Sequence, residues 1–439
     1  MNSFYQLSMA YRLVGLFALG AGIGSVINWA IFQWGLTRRA ASPWSAQPAE
    51  APPRRLIDFL PIAGWFFLRR ESPLWGRGHW IRPALIDLGT GCMFAGLYWW
   101  EVAQLGLYPR DILPPGMPPS LALLDVLHAQ FAVHAGLLCL MVMATFIDID
   151  DQIIPDSVTL PGTLLALLLA AVHPWSLLPA GMLRLPSGEL QVEFVTLMSP
   201  SGWPAWLNAQ WDQSPLVIAF LCLWLWCFAL LPRRWRGRRG ANAAVGLMLA
   251  RISRDPFSRL VLLIGLVVSV GIVLFWRLGG AHWQGLLSAL VGMMVSAGLV
   301  WGVRLIAALV LRREAMGFGD VTLMAMIGAA LGWQAGLAVF FIAPVVAVFY
   351  AVARLLLRGE REIPYGPFLC AGAATVIIAW APIWERIMLV AADFNMPWWF
   401  LPALLVGAAV MLALLLSLLQ LIKGLFRPRT AQNEPPATT

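Results

Sequence analysis

Eleven stretches of this chain are long and apolar enough to cross a lipid bilayer, and that constrains its fold more than any other feature. They fall near 11–34, 84–106, 127–147, 157–174, 215–231, 259–278, 284–310, 320–341, 343–357, 367–391 and 399–422. A helix needs about 20 mostly apolar residues to traverse roughly 30 Å of hydrocarbon. At that depth no water satisfies the backbone, so apolar runs of this length are helices. Composition agrees: 60% of the 439 residues are hydrophobic and 12% charged, against about 25% charged in an ordinary globular protein. Mean hydropathy is +0.76. The expectation is an all-α fold, a polytopic integral membrane helical bundle of about 11 spans. Disordered, nucleic-acid-binding and disulfide-rich secreted classes are excluded, since each needs low hydrophobicity, clustered exposed charge or dense cysteine.

The net charge of +8 comes from arginine, with Lys423 the only lysine. The arginines concentrate in 37–83 and 232–258, which marks both as cytoplasmic. Alternating the spans from there puts 148–156, 311–319, 358–366 and the tail on the same side and the N-terminus outside. The arginine-poor connections 107–126 and 175–214 then lie opposite, and the longer one reads as a small folded cap or a mobile cover. The first span lacks a basic n-region and a small-residue cleavage site, so it reads as a retained helix, not a removed signal peptide. Cys92, Cys139, Cys222, Cys227 and Cys370 each lie in an apolar stretch. Their spacing supports neither a metal site nor disulfides. His79, His128, His134, His173 and His282 have no carboxylate at helical spacing, and no chemistry is assigned to them.

Ionisable groups in or beside a span are functional candidates, because they are costly there. Two places draw attention. In one, Phe146-Ile-Asp148-Ile-Asp150-Asp151-Gln-Ile-Ile-Pro155-Asp156, an apolar helix runs directly into four acids. In the other, Met316-Gly317-Phe318-Gly319-Asp320, a glycine-flanked turn delivers one aspartate to the next apolar helix. Both fall on the cytoplasmic side by the arginine argument. Two carboxylates meeting there would share a proton, hold a water for attack on a peptide carbonyl and protonate the departing amine. Gly317 and Gly319 would allow positive φ or close backbone approach. Simpler readings stand beside this one. Asp320 could be an N-cap, Asp156 and Ser157 could cap the following span, and Asp150 and Asp151 could be solvated at the interface. A metal-binding Asp-x-Asp is a further reading, although no phosphate-binding glycine loop or lysine accompanies it.

Together, Asp148-Ile-Asp150-Asp-Gln-Ile-Ile-Pro155-Asp156 and Gly317-Phe-Gly319-Asp320-Val-Thr-Leu-Met resemble the type IV prepilin leader peptidases, intramembrane aspartyl proteases of the Gly-x-Gly-Asp type. Ile363-Pro364-Tyr365-Gly366-Pro367-Phe368 resembles a third segment of that family. The resemblance implies Asp148 and Asp320 as the catalytic pair. Support would come from Gly317, Gly319, Asp150, Asp151, Asp156, Pro364, Gly366 and Pro367. It implies an inner-membrane enzyme without metal or other cofactor that removes the short basic leader of prepilins or pseudopilins at the cytoplasmic face. Asp150, Asp151 and Asp156 would supply a negative field for that leader.

The chain departs from the family in three ways. The 37–83 loop has no cysteine, where many members carry Cys-x-x-Cys pairs, so the resemblance does not extend to methylation of the mature pilin. Thr322 stands where many members have lysine. Asp148 and Asp320 are 172 positions apart, which implies an insertion. The expected division is therefore 1–83, a first span and basic loop; 84–174, the first aspartate motif; 175–304, the insertion; 305–426, the Gly-x-Gly-Asp motif; and 427–439, a disordered tail. The competing function is a proton- or cation-coupled transporter using the same acids as a relay. The acids lie at span ends rather than in broken helices at the midplane, which argues against it.

Overall fold

The computed structural model describes residues 7–109, 120–184, 190–208, 213–231, 254–311, 316–356, 364–394 and 410. The expected span 399–422, apart from residue 410, and most of the arginine-rich loop, 232–253, lie outside that set. The architecture is helical, as expected. Its main elements are α1 (Met9–Trp34), α2 (Ile81–Tyr98), α3 (Leu121–Asp151), α4 (Asp156–Val172), α5 (Ser214–Leu230), α6 (Pro256–Leu278), α7 (Gly280–Leu311), α8 (Phe318–Leu331), α9 (Trp333–Leu356), α10 (Gly366–Ile378) and α11 (Trp380–Phe394). Among the described residues, five helices are long and apolar enough to span, or six if one sharply bent pair counts as a single span, and three shorter apolar helices accompany them.

Two boundaries differ from the sequence reading. The run 320–357 divides at Gly332, whose φ of +87° ends α8 after 14 residues. A left-handed glycine stops a helix without steric cost even inside an unbroken apolar run. The run 367–391 is α10 and α11, bent by 80° at Ala379. The bend frees the Ile378 carbonyl, and the Trp100 indole donates to it at 3.1 Å.

α8 is the centre of the bundle. Every residue from Asp320 to Leu331 is buried, as a helix apolar all round requires. Small residues bring its neighbours close: a Cβ added to Gly292 of α7 would meet the Gly328 carbonyl of α8, and one on Gly162 of α4 would meet Met326. Close approach through glycine is how membrane helices gain packing without a hydrophobic drive from water. α6 is the contrast. Its Leu263, Leu266, Val267, Val270 and Leu274 are exposed, an apolar face suited to lipid.

α1 and α2 form a second tight pair. Asp87 is fully buried and accepts from Ser25 Oγ (3.0 Å), Asn28 Nδ2 (2.8 Å), the Ile62 amide (2.8 Å) and Trp65 Nε1 (3.1 Å). This knot fastens the segment between the two helices, which has its own small core of Trp65 and Leu68 against Phe32 and Ala84. Arg54 and Glu71 pair at 3.6 Å there, and Arg70 pairs with Asp58. Burial alone would raise the Asp58 carboxyl, but hydrogen bonds from Arg70 and the Arg55 amide hold it below the usual carboxylate range.

The described residues of 175–208 fold as a cap. Strands β1 (Pro179–Arg184) and β2 (Leu190–Phe194) pair antiparallel, with Gly181 opposite Glu193 and Met182 opposite Val192. Indole N–H groups from the helices hold its backbone: Trp380 to Pro179 O (2.8 Å), Trp384 to Ala180 O (2.7 Å), Trp333 to Leu197 O (2.8 Å) and Trp283 to Leu207 O (2.8 Å). Since α4 ends and α9 begins at this cap, the turns before α4 and α8 lie at the other end of the bundle.

Candidate active site

At that other end α3 finishes in a left-handed Gln152, φ 55°. Ile153 and Ile154 lead to Pro155, which caps α4. The residue before a proline favours extended backbone, so the helix cannot run on through this turn. Asp148 thus occupies the last turn of α3. Asp320 is the third residue of α8, after Gly317 at the N-cap position, so it is not an N-cap itself. Its carboxylate instead reaches back to the Gly317 amide, as an acid at this position does in a capping box.

The two carboxylates line one cavity of about 420 Å³ with Gln152, Ile154, Met316, Gly317, Phe318, Pro364 and Tyr365. They are close enough for the charge of Asp148 to act on Asp320. Both are buried, at 4% and 7% relative exposure, yet each borders the cavity. Oδ2 of Asp148 is buried without a hydrogen-bond partner. The three turns assigned to one side by the arginine argument, 148–156, 311–319 and 358–366, supply all these residues except Asp320, which directly follows the second turn.

Gly319 and Gly366 act by closeness, whereas a Cβ on Gly317 would make only ordinary contacts within its own turn. Neither Gly317 nor Gly319 has a positive φ, which corrects half of the expectation. A Cβ on Gly319 would lie 2.8 Å from Ile154 Cβ, and one on Gly366 would collide with Asp148 Oδ2. Gly366 and Pro367 open α10 behind Tyr365, and Pro364 lines the cavity. Cys370, buried one turn into α10, faces Thr145 of α3. Thr322, buried, donates to the Gly319 carbonyl at 3.0 Å.

The other three acids do not line the cavity. Asp150 makes a two-point pair with Arg82, 2.6 and 2.7 Å. Asp151 accepts from the Leu36 amide at 2.7 Å, and Asp156 is the first residue of α4, exposed. Asp150 and Asp151 therefore tie α3 to α2 and to the end of α1, whatever else their charge does. Among the described residues, no group of three or more His, Cys, Asp or Glu could hold a metal ion.

Two charged features escape local sequence patterns. His134 meets Glu101 at 2.8 Å with both side chains fully buried, a pair made by packing α3 on the turn after α2. Arg304 of α7 lies over the Phe318 ring, 5.7 Å from its centroid. The signal for Arg304 was an arginine within the apolar run 284–310.

A helical membrane bundle that brings two carboxylates from separate helices into one buried cavity defines a class of intramembrane protein with an aspartate pair. Residues 254–352 match the type IV leader peptidase family. The range covers α6 to most of α9 and holds Asp320. The chain is 36% identical over 115 residues to the prepilin leader peptidase/N-methyltransferase of Aeromonas hydrophila, covering 25% of this chain and 38% of that one. It is 34% identical over 110 residues to the protein of the same name from Pseudomonas aeruginosa, covering 24% and 38%. It is 32% identical over 96 residues to the leader peptidase HopD of Escherichia coli, covering 21% and 58%. The chain thus spans under two fifths of the length of the first two relatives. No solved structure matches it.

Proposed function

We propose that this protein is an intramembrane aspartyl endopeptidase that removes the basic leader of type IV prepilins or pseudopilins at the cytoplasmic face of the inner membrane. The observation that carries this reading is the shared cavity of Asp148 and Asp320, with its unpartnered carboxylate oxygen. Two carboxylates in one buried site are most stable with one proton between them. The charged partner takes a proton from water as its oxygen attacks the scissile carbonyl, and the protonated partner gives its proton to the carbonyl oxygen. On collapse the C–N bond breaks and the leaving amine takes the proton first drawn from water. A hydroxyl of the tetrahedral carbon returns the other proton, and the pair is restored.

The helix lengths suit a recessed site. α4 and α8 have 17 and 14 residues, about 26 and 21 Å, against roughly 30 Å of hydrocarbon. Their carboxylate ends can sit below the interface, where a substrate helix enters from the bilayer while its leader stays in water. Asp150 is offset by Arg82, so the field on the leader rests more on Asp151 and Asp156. Unchanged leader processing after neutralising Asp150, Asp151 and Asp156 together would remove that role.

The test is a prepilin co-expressed with the full chain, with the processed form followed by its mobility and new N-terminus. Wild type is expected to process it, and Asp148→Asn and Asp320→Asn to leave it uncut while accumulating to wild-type levels. Processing by either variant contradicts the proposal.

A further inference from the structure

We propose that the cap carries a second binding site, a cavity that takes a neutral oligosaccharide at the end of the bundle opposite the two carboxylates. The inference goes beyond the protease reading and does not depend on it.

The cavity measures about 460 Å³, within the range of about 300–1,000 Å³ in which proteins bind small molecules. β2, the turn from Thr196 to Trp203, the start of α7 and α11 enclose it, and Trp175, Phe194, Trp203 and Trp384 stand in its wall. Two of these indoles are anchored. Trp175 donates to the Val192 carbonyl at 3.1 Å and stands edge-on to Phe194. Trp384 donates to the Ala180 carbonyl at 2.7 Å and stacks on Trp380, with ring centroids 5.3 Å apart. Gln334 grips the turn through the carbonyls of Thr196 and Ser199. Walls set in advance spare a ligand the cost of ordering them.

The chemistry of the wall narrows the ligand. The cavity runs along β2, with Gln191 and Glu193 on the exposed side of the strand and Val192 and Phe194 on the buried side, as strand alternation sets them. Gln284 joins the polar side from α7. Gln191, Glu193 and Gln284 make no hydrogen bond or ion pair among the described residues. Glu193 is the only charged residue among the described ones that line the cavity, and none of these is Arg, Lys or His. A phosphate or carboxylate ligand would meet no cation here, and an acyl chain would strand the amides. A sugar suits both sides of the wall. Its C–H face packs on the electron-rich faces of aromatic rings, and its hydroxyls donate to and accept from amides and a carboxylate. A quaternary ammonium would be drawn by the rings and Glu193, but it offers the glutamine N–H groups no acceptor.

The experiment is ligand-observed NMR on the full chain in lipid nanodiscs, with empty nanodiscs as the blank. The probes are chitotriose, cellotriose and maltotriose, with tetramethylammonium as the cationic control. Saturable binding of at least one trisaccharide is expected. In Gln284→Ala the affinity for that sugar is expected to fall about tenfold, the worth of one hydrogen bond. Trp203→Ala removes a ring whose N–H has no partner, and is expected to weaken binding at least as much. Should Gln284→Ala fail to fold, Trp203→Ala decides alone. Binding of none of the three sugars overturns the proposal, whether or not tetramethylammonium binds. So does a sugar bound with undiminished affinity by the folded variants, which would place it elsewhere on the chain. Prepilin cleavage enters none of these readouts, so the protease reading and this one fail separately.

Discussion

The two ends of the bundle use their buried polar groups differently, although both keep some without a partner: Gln334 Oε1 and Trp203 Nε1 at the cap, Asp148 Oδ2 at the other end. At the cap, carbonyls of Pro179, Ala180, Leu197 and Leu207 each take an indole N–H, and Gln334 donates to Thr196 and Ser199 at 2.8 and 2.9 Å. At the carboxylate end, Asp148 keeps an oxygen without a partner beside a cavity it shares with Asp320. A buried hydrogen bond contributes about 1 kcal/mol net, whereas a buried group left unsatisfied costs about 1–3 kcal/mol. What sets the carboxylate end apart is that its unpartnered atom is an ionisable oxygen beside a cavity shared with a second carboxylate. Asp87, with its four donors, belongs with the cap in this sense, although it is an acid near the carboxylate end.

Three substitutions can break or sharpen that contrast. Gly366→Ala drives a methyl against Asp148 Oδ2, so the carboxylate must move. Cleavage by purified chain is expected to fall about 100-fold, the scale of a misplacement of about 1 Å, with the melting temperature little changed. Asp87→Asn should do the reverse. It exchanges an acceptor of four hydrogen bonds for a group with one acceptor oxygen, and a loss of about 2 kcal/mol is expected in denaturant titration. Activity per folded molecule should be kept. Trp380→Phe removes one indole donor from the cap and should cost about 1 kcal/mol by the same measurement, again without a change in cleavage.

Much of the carboxylate end was legible in the sequence, because its motifs lie in three short turns and each carries its own punctuation. Pro155 stops one helix and starts another, Gly319 permits close approach, and Pro364 to Pro367 lead into α10. What the sequence did not disclose is mostly tertiary. Hydropathy averages over a window, so it could not mark the break at Gly332 inside a continuous apolar run, nor the bend at Ala379 that Trp100 satisfies from elsewhere in the chain. The partnership of His134 with Glu101 joins residues 33 apart in different elements, beyond any helical spacing. The cap depends on indoles contributed by helices up to about 200 positions away, as Trp380 is from Pro179. Arg304 was visible as a charge in an apolar stretch, but its seat over the Phe318 ring needs the packing of α7 on α8.

If Asp148 and Asp320 act as one unit, the effects of removing them are non-additive. Cleavage of a purified prepilin by wild type, Asp148→Asn, Asp320→Asn and the double variant, all reconstituted in liposomes, gives the four rates required. Residues that work as a unit lose nearly everything when either is removed. Each single variant is therefore expected to fall by about 1,000-fold or more, with the double variant no slower than the singles. Single losses that multiply in the double variant, or a single variant that keeps most of its activity, would contradict a shared catalytic site.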